Sequence, residues 1–376
     1  MTKTSPLFTP LKINSITLPN RFVMPAMQRG MCLEGCPTEA LATYYARCAQ
    51  GGVSLIIGES CAVDHPSATA QPGAARLTAE TKAGWARCAG AVHEAGGRML
   101  LQLWHEGALR NASDGATISP SGLSRPGQEN GRAASSAELD ELYRAYVAAA
   151  VMAQEAGFDG VEVHAAHGYL LDQFLWPGTN LRQDGLGGPK IADRMKFPTS
   201  IVAGIRAACR PEFIISFRFS QWKEVDYEAR IVADPAELAT LVKGMEDAGA
   251  NIFHASTRRF WEPEWADDPR GLAGWVSSLT NRPVIAVGSV GLDTDIMTTF
   301  IKQVDPKPRV GQAIEDLGAR MAAGEFDLVA VGRALIGDPD FVNKIADGRY
   351  DEIRVFQRSD LGTLEWDSSA IEDAHA

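Results

Sequence analysis

Eight short apolar runs, rich in β-branched residues, recur along the chain at 21–24, 53–59, 98–103, 160–164, 213–219, 251–256, 283–288 and 327–332. Near-continuous apolarity of this kind marks strands buried on both faces. Between most of the runs, apolar positions recur at helical spacing. Leu41, Tyr44, Tyr45 and Cys48 mark one helix face, and Leu139, Leu142, Tyr146, Ala149 and Met152 another. Ala-Gly turns at 95–97, 156–159 and 248–250 end helical stretches and feed the next strand, as C-terminal glycine caps do. Eight strand-then-helix units predict an α/β protein with a single parallel (β/α)8 TIM barrel. An open doubly wound sheet competes with it, but no G-x-G-x-x-G follows the first strand. No low-complexity linker or composition break divides the chain. One domain is therefore expected over residues 1–376, with the barrel over 7–350 and a C-terminal extension over 351–376.

In such a barrel, chemistry sits at the C-terminal ends of the strands. The unusual polar residues gather there. Pro25-Ala26-Met27-Gln28 follows strand one, Ser60 strand two, and Gln102 and His105 finish strand three. Arg218 ends strand five, Ser256-Thr257-Arg258 strand six, Gly288-Ser289-Val290-Gly291 strand seven and Gly332-Arg333 strand eight. Strand four is the most informative, because its apolar run breaks into His164-Ala165-Ala166-His167-Gly168-Tyr169. Buried imidazole and phenol groups must find partners or cost stability, so a strand has no structural need of them. They suit a site that grips a polar substrate oxygen and delivers a proton. His164 and His167 would polarise a carbonyl or nitro oxygen, and Tyr169 would protonate carbon. A zinc site with His105 as third ligand is a rival reading, as is a satisfied structural pair, although no H-E-x-x-H motif accompanies them.

Glycine turns after strands seven and eight let backbone N–H groups approach an anion, and Arg333 adds a bidentate clamp, so a phosphate is expected there. Gln102 and Arg218 would meet the polar edge of a heterocycle and stabilise negative charge on it. The alternative is a polar lining with Glu59 or Glu162 as ion-pair partners.

The bulk numbers narrow the class. With 376 residues, 45% hydrophobic and 22% charged, the composition is that of a soluble globular protein. A net charge of -11 argues against nucleic acid and anionic membrane surfaces as partners. The N-terminus has no apolar stretch of signal-peptide length. Six cysteines do not make a disulfide framework in so long a chain, and a reducing cytoplasm is expected.

Taken together, the motifs resemble the old yellow enzyme family of FMN-dependent ene-reductases over nearly the whole length. They are Leu18-Pro19-Asn20-Arg21, Met24-Pro25-Ala26-Met27, Gln102-Leu103-Trp104-His105, His164-Ala165-Ala166-His167-Gly168-Tyr169-Leu170, Asn180-Leu181-Arg182-Gln183-Asp184 and Val331-Gly332-Arg333-Ala334-Leu335. The resemblance implies non-covalent FMN at the barrel mouth and NADH or NADPH as reductant. Pro25, Ala26, Met27 and Gln28 would run along the flavin, Ser60 and Gln102 would face its polar edge, and Arg218 would stabilise its reduced form. Gly288, Ser289, Gly291, Gly332 and Arg333 would cradle the phosphate. His164 and His167 would hold the activating oxygen of an enone, enal, maleimide or nitroalkene. Hydride would come from flavin N5 in a ping-pong cycle, and a proton from Tyr169.

Other chemistries on the same barrel, on enoyl thioesters, amines or nitro compounds, are alternatives, as is a non-catalytic flavin-binding protein. No closely spaced cysteine quartet follows the barrel, which argues against an iron–sulfur module. The expected partner is a small molecule carrying an electron-withdrawing group, with homo-oligomerisation left open. Two places depart from the family. Gln28 stands where relatives often carry threonine or cysteine, and Leu181 breaks an Asn-Arg-Arg/Lys pattern. The aromatic, basic loop 256–265 is either a surface cover or a substrate lid in which Arg258 and Trp261 meet flat or anionic substrates.

Overall fold

The computed structural model describes residues 5–366 and forms a closed barrel. Its strands are β1 (Phe22–Met24), β2 (Leu55–Ala62), β3 (Arg98–Trp104), β4 (Gly160–His167), β5 (Ile214–Lys223), β6 (Ile252–Ser256), β7 (Val284–Val287) and β8 (Leu328–Ala330). Neighbouring strands pair in parallel, and the ring closes where Val329 of β8 lies opposite Phe22 and Val23 opposite Leu55 of β2. Each predicted run overlaps one strand. β2, β4 and β5 continue past the apolar pattern to Ala62, His167 and Lys223, with irregular register at Gly58/Ser60 and at Ala165/His167. The barrel rim is therefore built from polar residues that still share the ladder.

The helices that alternate with the strands are α1 (Glu39–Gln50), α2 (Lys82–Glu94), α3 (Ser136–Glu155), α4 (Lys196–Ala208), α5 (Pro235–Asp247), α6 (Leu272–Ser277), α7 (Val310–Ala322) and α8 (Phe341–Ala346). Shorter helices at Leu170–Leu175, Ile191–Arg194, Ile296–Lys302 and Arg333–Gly337 lie in the loops after β4, β7 and β8. Local chemistry starts several of them. Thr38 caps α1, Ser135 and Glu138 form a capping box on α3, and Asp234 caps α5 ahead of Pro235. The predicted faces are the buried ones: Leu41, Tyr44, Tyr45 and Cys48 on α1, and Leu139, Leu142, Tyr146 and Ala149 on α3.

Two apolar cores result. The larger lies between strands and helices. The smaller fills the barrel with Val23, Leu55, Ile57, Leu100, Ile214, Ile252, Ile285 and Leu328. Ile13 and Leu18 of an N-terminal hairpin (Leu11–Ile13 paired with Ile16–Leu18) join it and plug one end. Because strand side chains alternate with period two, Gly160, Glu162 and His164 share one face of β4. The barrel lining thus changes from apolar to polar toward the C-terminal rim. All six cysteines are free; Cys48, on the predicted face of α1, is buried, and so is Cys88. Among the described residues no helix is long and apolar enough to cross a membrane.

The C-terminal extension folds back over the barrel. Asp360 in the turn Arg358–Gly362 pairs with Arg354 at 2.7 Å, its carbonyl accepts from Arg29 at 2.8 Å, and the Trp366 indole donates to Gly337 O at 3.1 Å. The rest of the predicted extension, 367–376, lies outside the described residues.

Candidate active site

A cavity of about 320 Å³ opens at the C-terminal rim. Pro25, Ala26, Met27, Gln28, Ser60, Gln102, His164, His167, Tyr169, Arg218, Arg258, Gly288, Ser289, Gly332 and Arg333 all line it. Of the predicted site residues, Gly291 and Trp261 do not. Gly291 turns the chain behind the cavity, where its carbonyl accepts from Arg309 N at 2.8 Å. The Trp261 ring lies under the Arg309 guanidinium, 4.9 Å from it, and edge-on to Phe260 at 5.1 Å. Trp261 therefore serves as cover for the neighbouring surface, and the lid expectation keeps only Arg258. That arginine pairs with Asp295 at 3.0 Å and stacks over Tyr227. A larger, more open cavity of about 600 Å³ between residues 64–67 and α3 holds none of the predicted site residues.

The strand-four residues converge. The His164 ring packs edge-on to His167 at 5.3 Å and to Tyr169 at 5.1 Å, and Trp104 abuts Tyr169 from the other side at 5.4 Å. His167 sits at φ 66° and Gly168 at φ 94°. A non-glycine residue in the left-handed region is uncommon and tends to occur where a site constrains the backbone. The turn is held from beneath. Gly168 N donates to Asp172 Oδ2 at 2.5 Å, and Asp172 is ion-paired with Lys223 at 2.8 Å with both side chains fully buried.

Hydrogen bonds fix the imidazole tautomers. His164 Nδ1 accepts from Ala166 N at 3.3 Å, so its proton belongs on Nε2, which has no protein partner among the described residues. Arg218 donates to Ser256 Oγ at 3.3 Å, and that hydroxyl lies 2.8 Å from His167 Nε2. A Ser256 hydroxyl that accepts from arginine and donates onward to Nε2 leaves the His167 proton on Nδ1, free to face a substrate. Burial, reinforced by the Arg218 charge, pushes His164 down to about 3 and His167 well below its ordinary value. Both are neutral donors at pH 7. His105 is not brought to the pair: its Nε2 bonds Ser67 Oγ at 2.8 Å and its Nδ1 accepts from Gly107 N.

Beneath the rim lies a buried polar layer. Glu162 accepts from Gln102 Nε2 at 2.8 Å, Ser216 Oγ at 2.9 Å and His254 Nδ1 at 2.8 Å, and Ser60 donates to Gln102 Oε1 at 2.6 Å. Burial would push the Glu162 carboxyl up, but His254, Arg218 and the Gln102 amide outweigh it and hold it ionised. Arg218 has no direct ion pair with Glu59 or Glu162 among the described residues, and its buried Nε has no partner. Glu59 faces the other core, accepting from Arg29 N at 2.6 Å. Gln28 donates to Gln71, which donates to Glu106.

At the opposite end of the cavity, the backbone N–H groups of Ser289, Val290 and Arg333 donate to no protein acceptor among the described residues. Arg333 donates to Thr299 Oγ1 at 2.6 Å and to Thr294 O. At Gly288, φ 150°, an added Cβ would fall 2.8 Å from Phe260 N, so the close approach of the two loops requires glycine. Free N–H groups beside an arginine suit a phosphate. An unpartnered guanidinium nitrogen and an amide suit the polar edge of a ring. The residues present fit FMN.

Sequence reasoning missed several lining residues. Trp222 stacks on His167 at 4.7 Å, and Glu224 accepts from the Tyr169 hydroxyl at 3.4 Å. Both lie in the polar stretch that ends β5, which was the available signal. His254, which lies in the buried layer beneath the cavity and not on its wall, stands at an inward position of an otherwise apolar β6, a pattern that could have marked it. Leu361 reaches the cavity from the C-terminal extension, and nothing in the local sequence indicates that.

The sequence profile of a family described as NADH:flavin oxidoreductase / NADH oxidase matches residues 6–306. The chain is 33% identical to the NADH oxidase of Thermoanaerobacter brockii over 97% of its own length and 54% of that protein. It is 32% identical to 12-oxophytodienoate reductase 7 of Oryza sativa subsp. japonica, covering 91% of this chain and 88% of that one. It thus spans about half the length of some curated relatives and most of others. The solved structure of morphinone reductase superposes with a TM-score of 0.77 at 26% identity, covering 95% of this chain and 93% of that one.

Proposed function

Because the chain belongs to the NADH:flavin oxidoreductase / NADH oxidase family, we propose that it is an FMN-dependent NAD(P)H oxidoreductase that reduces carbon–carbon double bonds activated by an electron-withdrawing group. Enones, enals, maleimides and nitroalkenes are the substrate class. The observation that carries this reading is the convergence of His164, His167 and Tyr169 on the cavity that also holds Arg218 and the anion cradle. FMN bound there would supply hydride transfer between NADH or NADPH and the acceptor.

The protein's part is orientation and proton supply. Ser289, Val290 and Arg333 would hold the phosphate, Ser60 and Gln102 the ring's polar edge, and Arg218 the negative charge that reduction places there. His164 Nε2–H and His167 Nδ1–H would bond the substrate's carbonyl or nitro oxygen and stabilise charge developing on it. Tyr169, gripped between Trp104 and His164, would protonate carbon. Arg258 at the rim would meet an anionic or flat substituent. Free thiols throughout suit a reducing compartment, and we place the protein in the cytoplasm.

Ligand binding tests the oxygen clamp. His164→Ala and His167→Ala are each expected to weaken a bound phenolate by about 1.5–3 kcal/mol, since the charged oxygen then loses an imidazole N–H donor. A neutral enone should lose only about 0.5–1.5 kcal/mol. Flavin content should be unchanged, and titration of the flavin absorbance with phenols reads both. Unchanged phenol affinity, or activity abolished by a chelator and restored by zinc, contradicts the assignment.

A further inference from the structure

Glu224 is an acid at the cavity with no ion-pair partner among the described residues. It follows β5 directly, and its backbone N–H donates to His167 O at 3.1 Å, which ties it to the turn that carries Tyr169. Its Oε1 lies 3.4 Å from the Tyr169 hydroxyl, which donates to it. The residue lines the cavity yet is exposed at the rim, so one end meets the phenol and the other meets water. The cations around it are committed elsewhere. Lys223 is buried against Asp172 and Ser220 O, and Arg218 bonds Ser256.

We propose that Glu224 is the proton relay for Tyr169. Once the phenol has given its proton to the substrate carbon, the Glu224 carboxylic acid passes its proton to the phenolate oxygen. The carboxylate so formed takes a proton from water at the rim. The inference rests on Tyr169 being the proton donor. A donor that turns over must be recharged, and a substrate lying across Tyr169 blocks the direct path from water. The Tyr169 phenol is a weak acid here, raised by burial and by Glu224 and Glu106, so a phenolate left beside a second negative charge is costly. Proton return from a neutral Glu224 removes that charge.

The surroundings set the relay's pH range. Desolvation by the cavity wall pushes the Glu224 carboxyl up, and the Tyr169 hydrogen bond and the Arg218 charge only partly oppose this, leaving it at about 7. The other groups around it do not titrate there. Tyr169 and Tyr227 are pushed upward, and His164 is neutral down to about 3. The relay is loaded below the Glu224 midpoint and empties as pH rises through it. The recharging of Tyr169, and with it repeated turnover, should therefore slow above about pH 7.

Two readouts test this on the flavin-loaded protein. In protein carrying carboxyl-¹³C glutamate, one NMR resonance should titrate near 7 and vanish in Glu224→Gln. In Tyr169→Phe its midpoint should move up, since the phenol's hydrogen bond favours the carboxylate. In multiple-turnover assays with an enone, Glu224→Gln should turn over more slowly by about 10²-fold, the low end for a positioned proton donor. Its pH profile should be flat around 7, and quinone acceptors, which need no proton on carbon, should be little affected. A Glu224 resonance titrating in the ordinary carboxylate range overturns the proposal. So does a Glu224→Gln enzyme with the parent's enone rate and pH profile while Tyr169→Phe is crippled. If instead Tyr169→Phe keeps full enone turnover, the donor assignment itself has failed.

Discussion

Tyr169→Phe is expected to slow enone-driven reoxidation by roughly 10²–10⁴-fold, the span of a positioned general acid. The substitution removes one hydroxyl and keeps the ring, which packs edge-on against Trp104 at 5.4 Å and His164 at 5.1 Å. Packing is therefore preserved, and among the described residues the only protein hydrogen bond lost is the one to Glu224. Reduction by NAD(P)H should stay within a small factor, because it requires no proton from this residue. Quinones, which accept electrons without a proton on carbon, should be affected far less than enones. Separate stopped-flow traces of the two half-reactions check this. Full enone turnover in the phenylalanine variant would reduce Tyr169 to a packing role, and an equal fall in both half-reactions would point to a distorted site.

Asp172→Asn is expected to cost about 3–5 kcal/mol of stability, as removing one member of a buried ion pair does. Asp172 Oδ1 lies 2.8 Å from Lys223 Nζ, and neither side chain is exposed at all. Burial pushes Lys223 down and Asp172 up to about 6, so each depends on the other to remain charged. The asparagine keeps the shape and leaves the ammonium without its counter-charge. Lys223 lies opposite His167 in the β4–β5 ladder, and Asp172 Oδ2 holds Gly168 N, so the catalytic turn should loosen as well. The double variant Asp172→Asn/Lys223→Met should recover much of the loss, since it leaves no uncompensated charge. Urea denaturation measures both. A single-variant loss under about 1 kcal/mol, the range of exposed pairs, would show that water reaches the site.

The eight strands were legible because each is apolar on both faces, and α1 and α3 because their buried faces repeat at helical spacing. Strand ends were less legible. At His167 and Lys223 the ladder continues into polar residues, and polarity alone reads as a loop, while at Ala62 it resumes beyond the Glu59-Ser60 break. The fold also brings together residues that local patterns cannot relate. Glu224 matters because Tyr169, far earlier in the chain, donates to it, and Leu361 matters because the C-terminal extension returns over the rim. Glu162 and His254 each interrupt an apolar strand, but only closure of the barrel makes them partners. The loop 256–265 shows the converse. Its aromatic and basic composition was plain, yet side-chain direction was not, and Trp261 turned to Arg309 while Arg258 faced the cavity.

Anaerobic stopped flow on the purified wild-type protein, with the flavin then released by heat and chromatographed, tests the central claim most directly. The flavin absorbance should bleach with NADH or NADPH and return when an enone, maleimide or nitroalkene is mixed in, and the released cofactor should be FMN at one per chain. A protein that yields FAD or no flavin, or whose flavin neither nucleotide bleaches and no activated alkene reoxidises, would contradict the account.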